Sequence, residues 1–90
     1  MTPFHVVLYS RPGCCLCDRA AELLLMLSRE FPQNLQISNI DEDPVLKEKW
    51  CCHIPVIFVD GSHRVALRVT EARLRRAFSR AAQRRQTSIT

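Results

Sequence analysis

The spacing of apolar and polar residues divides the chain into alternating short strands and helices. Phe4-His5-Val6-Val7-Leu8-Tyr9 is a β-prone apolar run that stops at the turn formers Ser10-Arg11-Pro12-Gly13, which predicts a buried strand and a loop. From about Cys15 to Phe31 there is no Gly or Pro, and apolar residues recur at Ala20, Leu23, Leu24, Leu27 and Phe31. That is helical spacing. Pro32-Gln33-Asn34 breaks it, and Leu35-Gln36-Ile37-Ser38-Asn39-Ile40 alternates apolar and polar with a period of two, as a strand does.

Asp41-Glu42-Asp43-Pro44 places acidic residues and a proline where a helix starting near Pro44 has free N–H groups and the positive end of its dipole, and a short helix through Trp50 is expected. Ile54-Pro55-Val56-Ile57-Phe58-Val59 is the most apolar β-prone run, and Asp60-Gly61 after it is a two-residue hairpin signal leading into a return strand over His63 to Arg68. Thr70 suits the N-cap of a last helix with Leu74, Ala77, Phe78 and Ala81 on one stripe. The expected architecture is α/β, in the order β-α-β-α-β-β-α, with a four-stranded mixed sheet and flanking helices. One domain spans 4–82, and 83–90 is expected to be a basic, frayed tail.

Ninety residues hold one domain and no second. The net charge of +4 is not spread evenly. Residues 71–90 carry six arginines against Glu71, so the segment is positive by five and the rest of the chain is slightly negative. No aromatic residues interleave with these arginines to stack bases, so a solvated helix face is expected and no nucleic-acid partner. Met1 to His5 has no basic leader segment and Val6 to Tyr9 is too short to enter a membrane, which makes the cytoplasm the expected location, without a membrane partner.

Five cysteines are many for this length, and they lie in two tight clusters, Cys14-Cys15-Leu16-Cys17 and Cys51-Cys52. Clustered cysteines without a secretory leader read as redox or metal groups more readily than as a disulfide framework. Cys14-x-x-Cys17 ends the first strand and loop and opens the first helix, so free backbone N–H groups and the helix dipole stabilise a thiolate at Cys14, the nucleophile of disulfide exchange. Cys17, one helical turn on, is in reach to attack a mixed disulfide at Cys14 and release the substrate. Arg11 adds positive charge nearby. A lone Cys-x-x-Cys is also half of a zinc site, but a strand before it, a long helix after it and a β-Pro strand about forty residues on favour redox use. Ile54-Pro55 opens its strand, a position where proline removes a ladder donor and where a cis bond, if present, would be a retained feature.

Cys15 is expected to be a partly exposed spectator thiol. One of Cys51 and Cys52 is expected to be a small buried apolar residue. Trp50 is expected in the core. His5, His53 and His63 are scattered singly, so no Cys–His hydrolase pair is evident. The competing reading is a non-catalytic module that binds a soft metal (zinc, Cu(I) or an iron–sulfur centre) or a partner protein, using Cys14, Cys15, Cys17, Cys51, Cys52 and His53 on one side of the fold.

Leu8 to Asp18, with Asn39-Ile40-Asp41-Glu42-Asp43-Pro44 and Ile54 to Gly61, resembles the short glutaredoxin-like proteins of the thioredoxin superfamily that carry a C-x-L-C-D motif. The resemblance implies a thioredoxin-like fold, Cys14 as attacking and Cys17 as resolving thiol, and Pro55 as a cis-proline beside them. It also implies that the backbone of Ile54 pairs with an extended substrate. Glutathione-binding glutaredoxins usually carry Gly-Gly after the hairpin and a Thr/Ser/Cys-Asp dipeptide at the last helix. Val65-Ala66-Leu67 and Val69-Thr70-Glu71 stand there, with Glu71 only a partial substitute for the aspartate. The expectation is a monomeric oxidoreductase acting on disulfide-containing proteins or small thiols, with no tightly bound cofactor or metal and glutathione left open as reductant.

Overall fold

In a computed structural model describing residues 2–87, the central strand β1 (Phe4–Ser10) pairs on one side with β2 (Gln33–Asn39) and on the other with β3 (Val56–Val59). The fourth strand β4 (His63–Ala66) completes a sheet of order β2-β1-β3-β4. β1 and β2 are parallel, whereas β3 runs antiparallel to both β1 and β4, so the sheet is mixed. Helices α1 (Cys15–Leu27), α2 (Pro44–Trp50) and α3 (Glu71–Thr87), with a 3-10 turn over Ile40–Glu42, complete the expected thioredoxin-like order.

β1 from Val6 to Tyr9 and the whole of β3 are continuously apolar, as strands covered on both faces are. Phe4, Val6 and Leu8 of β1 and Ile57 and Val59 of β3 join Leu24, Leu27, Leu74 and Phe78 in one core. The alternate residues Tyr9, Val56 and Phe58 meet Ile40 and Trp50 in a second, smaller core. Trp50 is buried as expected, nearly parallel to Tyr9 at 6.0 Å between ring centres. In the larger core the Phe78 ring lies 4.9 Å from Phe31 and 5.2 Å from Phe4.

β2 starts at Gln33, inside the expected break, and β3 at Val56 instead of Ile54, and the boundaries depart from the sequence expectation in four further places. α1 ends at Leu27, not Phe31, where Ser28 turns its hydroxyl back onto the Leu25 carbonyl at 2.6 Å. Val59 pairs with His63, so the hairpin loop has three residues, not two. Asp60 and Gly61 both adopt left-handed backbone there, at φ 53° and 74°. β4 stops at Ala66 because Leu67 also turns left-handed, at φ 63°.

The fourth departure corrects the expected boundary at 82: α3 continues through Gln83 to Thr87. Arg85 holds this end. Its guanidinium forks onto Asp60 at 2.7 and 2.9 Å, donates to the carbonyls of Thr2 and Pro3, and lies 4.6 Å over the Phe4 ring. Residues 88–90, the remainder of the expected frayed tail, lie outside the described residues. Among the described residues no helix is long and apolar enough to cross a membrane.

Candidate active site

The loop leaving β1 passes through Gly13, whose φ of 79° is open to glycine at little cost, and delivers Cys14 as the N-cap of α1. Nothing crowds a side chain at Gly13, so the requirement is one of backbone conformation, not space. Cys14 is extended, at φ −90° and ψ 105°, and its carbonyl accepts the Asp18 N–H at 3.0 Å. Its Sγ accepts the backbone N–H of Cys17 at 3.2 Å, so sulfur stands where a Ser or Asp oxygen commonly caps a helix. An amide donor and the helix N-terminus together stabilise negative charge on that sulfur.

Cys17 is placed differently. It is 3% exposed, and burial pushes its thiol up to about 12, with contact to the Cys14 sulfur adding to the effect. The Arg11 backbone offsets this only in part, while the negative charge of Asp18 reinforces it. The motif thus joins one half-buried, capped sulfur to one buried, protonated sulfur. Cys15 is exposed, more fully than the partial exposure expected of it.

Arg11 sits in the same loop with its guanidinium locked on Asp41, from Nη2 at 2.7 Å and Nε at 3.3 Å. The pair raises Arg11 above the ordinary guanidinium value and holds the Asp41 carboxyl below the usual carboxylate range. From there the Arg11 charge acts on the sulfurs of both Cys14 and Cys51. Sequence reasoning used Asp41 only as an acidic residue ahead of a helix. Its role as the anchor of Arg11 has no local sequence signal, because the two are thirty positions apart.

Ile54–Pro55 is a cis peptide, with Pro55 buried and Ile54 half-buried. The β1–β3 register pairs Tyr9 with Val56, which brings Pro55 level with the end of β1, where the Cys14 loop departs. The Pro55 carbonyl accepts the Leu67 N–H at 3.0 Å. Glu71, the partial substitute for a glutathione-site aspartate, binds Arg75 at 2.9 Å.

The second cysteine cluster corrects one expectation. Neither Cys51 nor Cys52 is buried; both are exposed in the turn after α2, with their sulfurs 3.4 Å apart. Cys51 caps α2 through its N–H to the Lys47 carbonyl, and this turns both side chains out from the core that Trp50 enters. Among the described residues no group of three or more His, Cys, Asp or Glu side chains comes together to hold a metal ion. The soft-metal reading therefore has no assembled ligand set there.

A family model for the glutaredoxin-like domain (DUF836) matches residues 5–79. Uncharacterized protein Rv0508 of Mycobacterium tuberculosis is 32% identical over 81 residues, covering 84% of each chain, and Uncharacterized protein Mb0520 of Mycobacterium bovis matches equally. Among solved structures, the structural-genomics target protein XcR50 from X. campestris superposes with a TM-score of 0.67 at 28% identity, over 78% of this chain and 89% of that one. Oxidised thioredoxin from Plasmodium falciparum shares the fold with a TM-score of 0.61 at 20% identity, over 90% of this chain and 83% of its own.

Proposed function

The chain belongs to the glutaredoxin-like domain family (DUF836), and from that premise we propose that it is a thiol–disulfide oxidoreductase in which Cys14 attacks and Cys17 resolves. The observation that carries the reading is the cap of α1: the Cys14 sulfur takes the Cys17 N–H at 3.2 Å while the Cys17 sulfur stays buried and protonated behind it.

The Cys14 thiolate attacks one sulfur of a substrate disulfide. A Cys14–substrate mixed disulfide forms, and the other substrate sulfur leaves as a thiolate and takes a proton. Cys17 then gives up its proton and attacks the Cys14 sulfur. The second substrate thiol is released and a Cys14–Cys17 disulfide remains. Burial keeps Cys17 protonated while Cys14 attacks, and Cys17 acts only once the Cys14 sulfur is held in the mixed disulfide, with the substrate thiolate as leaving group.

Arg11, fixed by Asp41, supplies positive charge beside the reacting sulfurs. Ile54 offers backbone to an extended disulfide-bearing segment, and its cis peptide to Pro55 lies beside the loop. The substrates are protein or small-molecule disulfides, and the working site is the cytoplasm, with the protein as a monomer. The electrons return from an external thiol. Glutathione is one candidate, although the residues that usually hold it are replaced here.

The test is reduction of hydroxyethyl disulfide and of insulin by the purified protein. Cys14→Ser abolishes both, while Cys17→Ser accumulates a mixed disulfide detectable by intact mass. Full activity in Cys14→Ser overturns the assignment. A reduction potential near roughly −270 mV indicates a thioredoxin-like donor, and one near about −200 to −230 mV a glutaredoxin-like donor.

A further inference from the structure

Four of the five cysteines lie in pairs, and the proposed reaction uses only one pair. Cys51 and Cys52 are adjacent in sequence, both exposed, with sulfurs 3.4 Å apart at the C-terminal end of α2. A disulfide needs about 2.05 Å between sulfurs, and neighbouring Cα atoms lie about 3.8 Å apart, closer than in ordinary disulfides, so closure takes backbone adjustment of this exposed turn as well as side-chain rotation. We propose that Cys51 and Cys52 are a second redox pair, oxidised to a vicinal disulfide by small disulfides of the glutathione disulfide class.

The Cys51 thiolate attacks one sulfur of the small disulfide, forming a mixed disulfide and expelling one thiolate, which takes a proton. Cys52 loses its proton and attacks the Cys51 sulfur, expelling the second thiol and closing the Cys51–Cys52 bond. The cysteine pair loses two electrons and two protons, and the small disulfide gains them. Contact with the Cys51 sulfur raises the Cys52 thiol above the ordinary range, which agrees with Cys52 acting second. Exposed or strained disulfides are the more oxidising and labile ones, so this pair oxidises later than Cys14–Cys17 as the thiol pool becomes oxidising, and is re-reduced first. The site borrows from the proposed function only the class of its oxidant.

The experiment uses Cys14→Ser/Cys15→Ser/Cys17→Ser, in which Cys51 and Cys52 are the only thiols, alongside the wild-type chain. Each is treated with excess glutathione disulfide, quenched with N-ethylmaleimide and mapped by mass spectrometry. The tryptic peptide from Trp50 to Arg64 holds these two cysteines and no other, so wild type gives the answer even where substitution of buried Cys17 unfolds the variant. The expected result is a peptide lighter by two hydrogens, free of maleimide and glutathione, with both labelling sites restored by dithiothreitol. Labelling of both cysteines, or separate capping of each by glutathione, overturns the proposal. Because the variant lacks Cys14 and Cys17, these outcomes leave the reading of that pair untouched.

Discussion

Cys17 donates its backbone N–H to the Cys14 sulfur at 3.2 Å while the residue itself is only 3% exposed, so one helix start gives the two thiols opposite surroundings. At neutral pH, limiting iodoacetamide is expected to alkylate Cys14 well before Cys17. Peptide mapping of a time course checks this, and equal labelling of the two would contradict the asymmetry.

The same burial links Cys17 to stability. Its thiol ordinarily titrates at 9.0 and in the fold is held to about 12, so between these values the folded chain binds more protons than the unfolded one. The contribution is therefore complete below about pH 9 and is lost as pH rises toward 12. Thermal melts of reduced protein across that range should fall more steeply for wild type than for Cys17→Ala. Parallel slopes would show that the sulfur is not the cause.

Asp41 titrates in the opposite sense. Arg11 holds its carboxyl below the ordinary 3.8, so the pair is intact above that value and is lost as pH falls through the lowered one. Both partners are solvent-accessible, and such pairs add little to stability. Asp41→Asn is therefore expected to leave the thermal midpoint close to wild type and to lower kcat/KM for disulfide reduction by releasing Arg11. An unchanged kcat/KM removes Arg11 from the account of turnover.

Two substitutions separate core packing from the clamp at the end of α3. Phe78→Ala, at a fully buried ring between Phe4 and Phe31, is expected to cost about 3–5 kcal/mol. Arg85→Ala removes the fork to Asp60 and the two carbonyl contacts at a partly exposed site, and is expected to cost about 1–2 kcal/mol. Urea unfolding followed by Trp50 fluorescence measures both. A smaller loss for Phe78 than for Arg85 would invert the ranking of packing over surface charge.

Period and punctuation in the sequence carried most of the fold. The runs at Phe4 to Tyr9 and Ile54 to Val59, the helical stripe at Ala20 to Phe31 and the Thr70 cap each act through near neighbours and each falls in the expected element, although β3 starts only at Val56 and α1 ends at Leu27. Cys14 was legible for the same reason, since a thiol ahead of a helix is a cap whatever the rest of the chain does. Arg85 was not. Its partners Thr2, Pro3 and Asp60 come from the far end of β1 and from the hairpin, and composition alone reads such an arginine as solvated. Cys51 and Cys52 misled because small sulfur side chains are usually buried, whereas one residue of helix rotation at the end of α2 decides which way they face.

The Arg85 clamp also fixes the direction of attachment. It gathers Thr2, Pro3 and the last turns of α3 at the start of β1, whereas the Cys14 loop leaves from the other end of that strand, about 20 Å away. A tether to a sensor surface, or a fluorescent fusion joined ahead of Thr2, would therefore hold the molecule from behind and present both thiol clusters outward to whatever disulfide diffuses past.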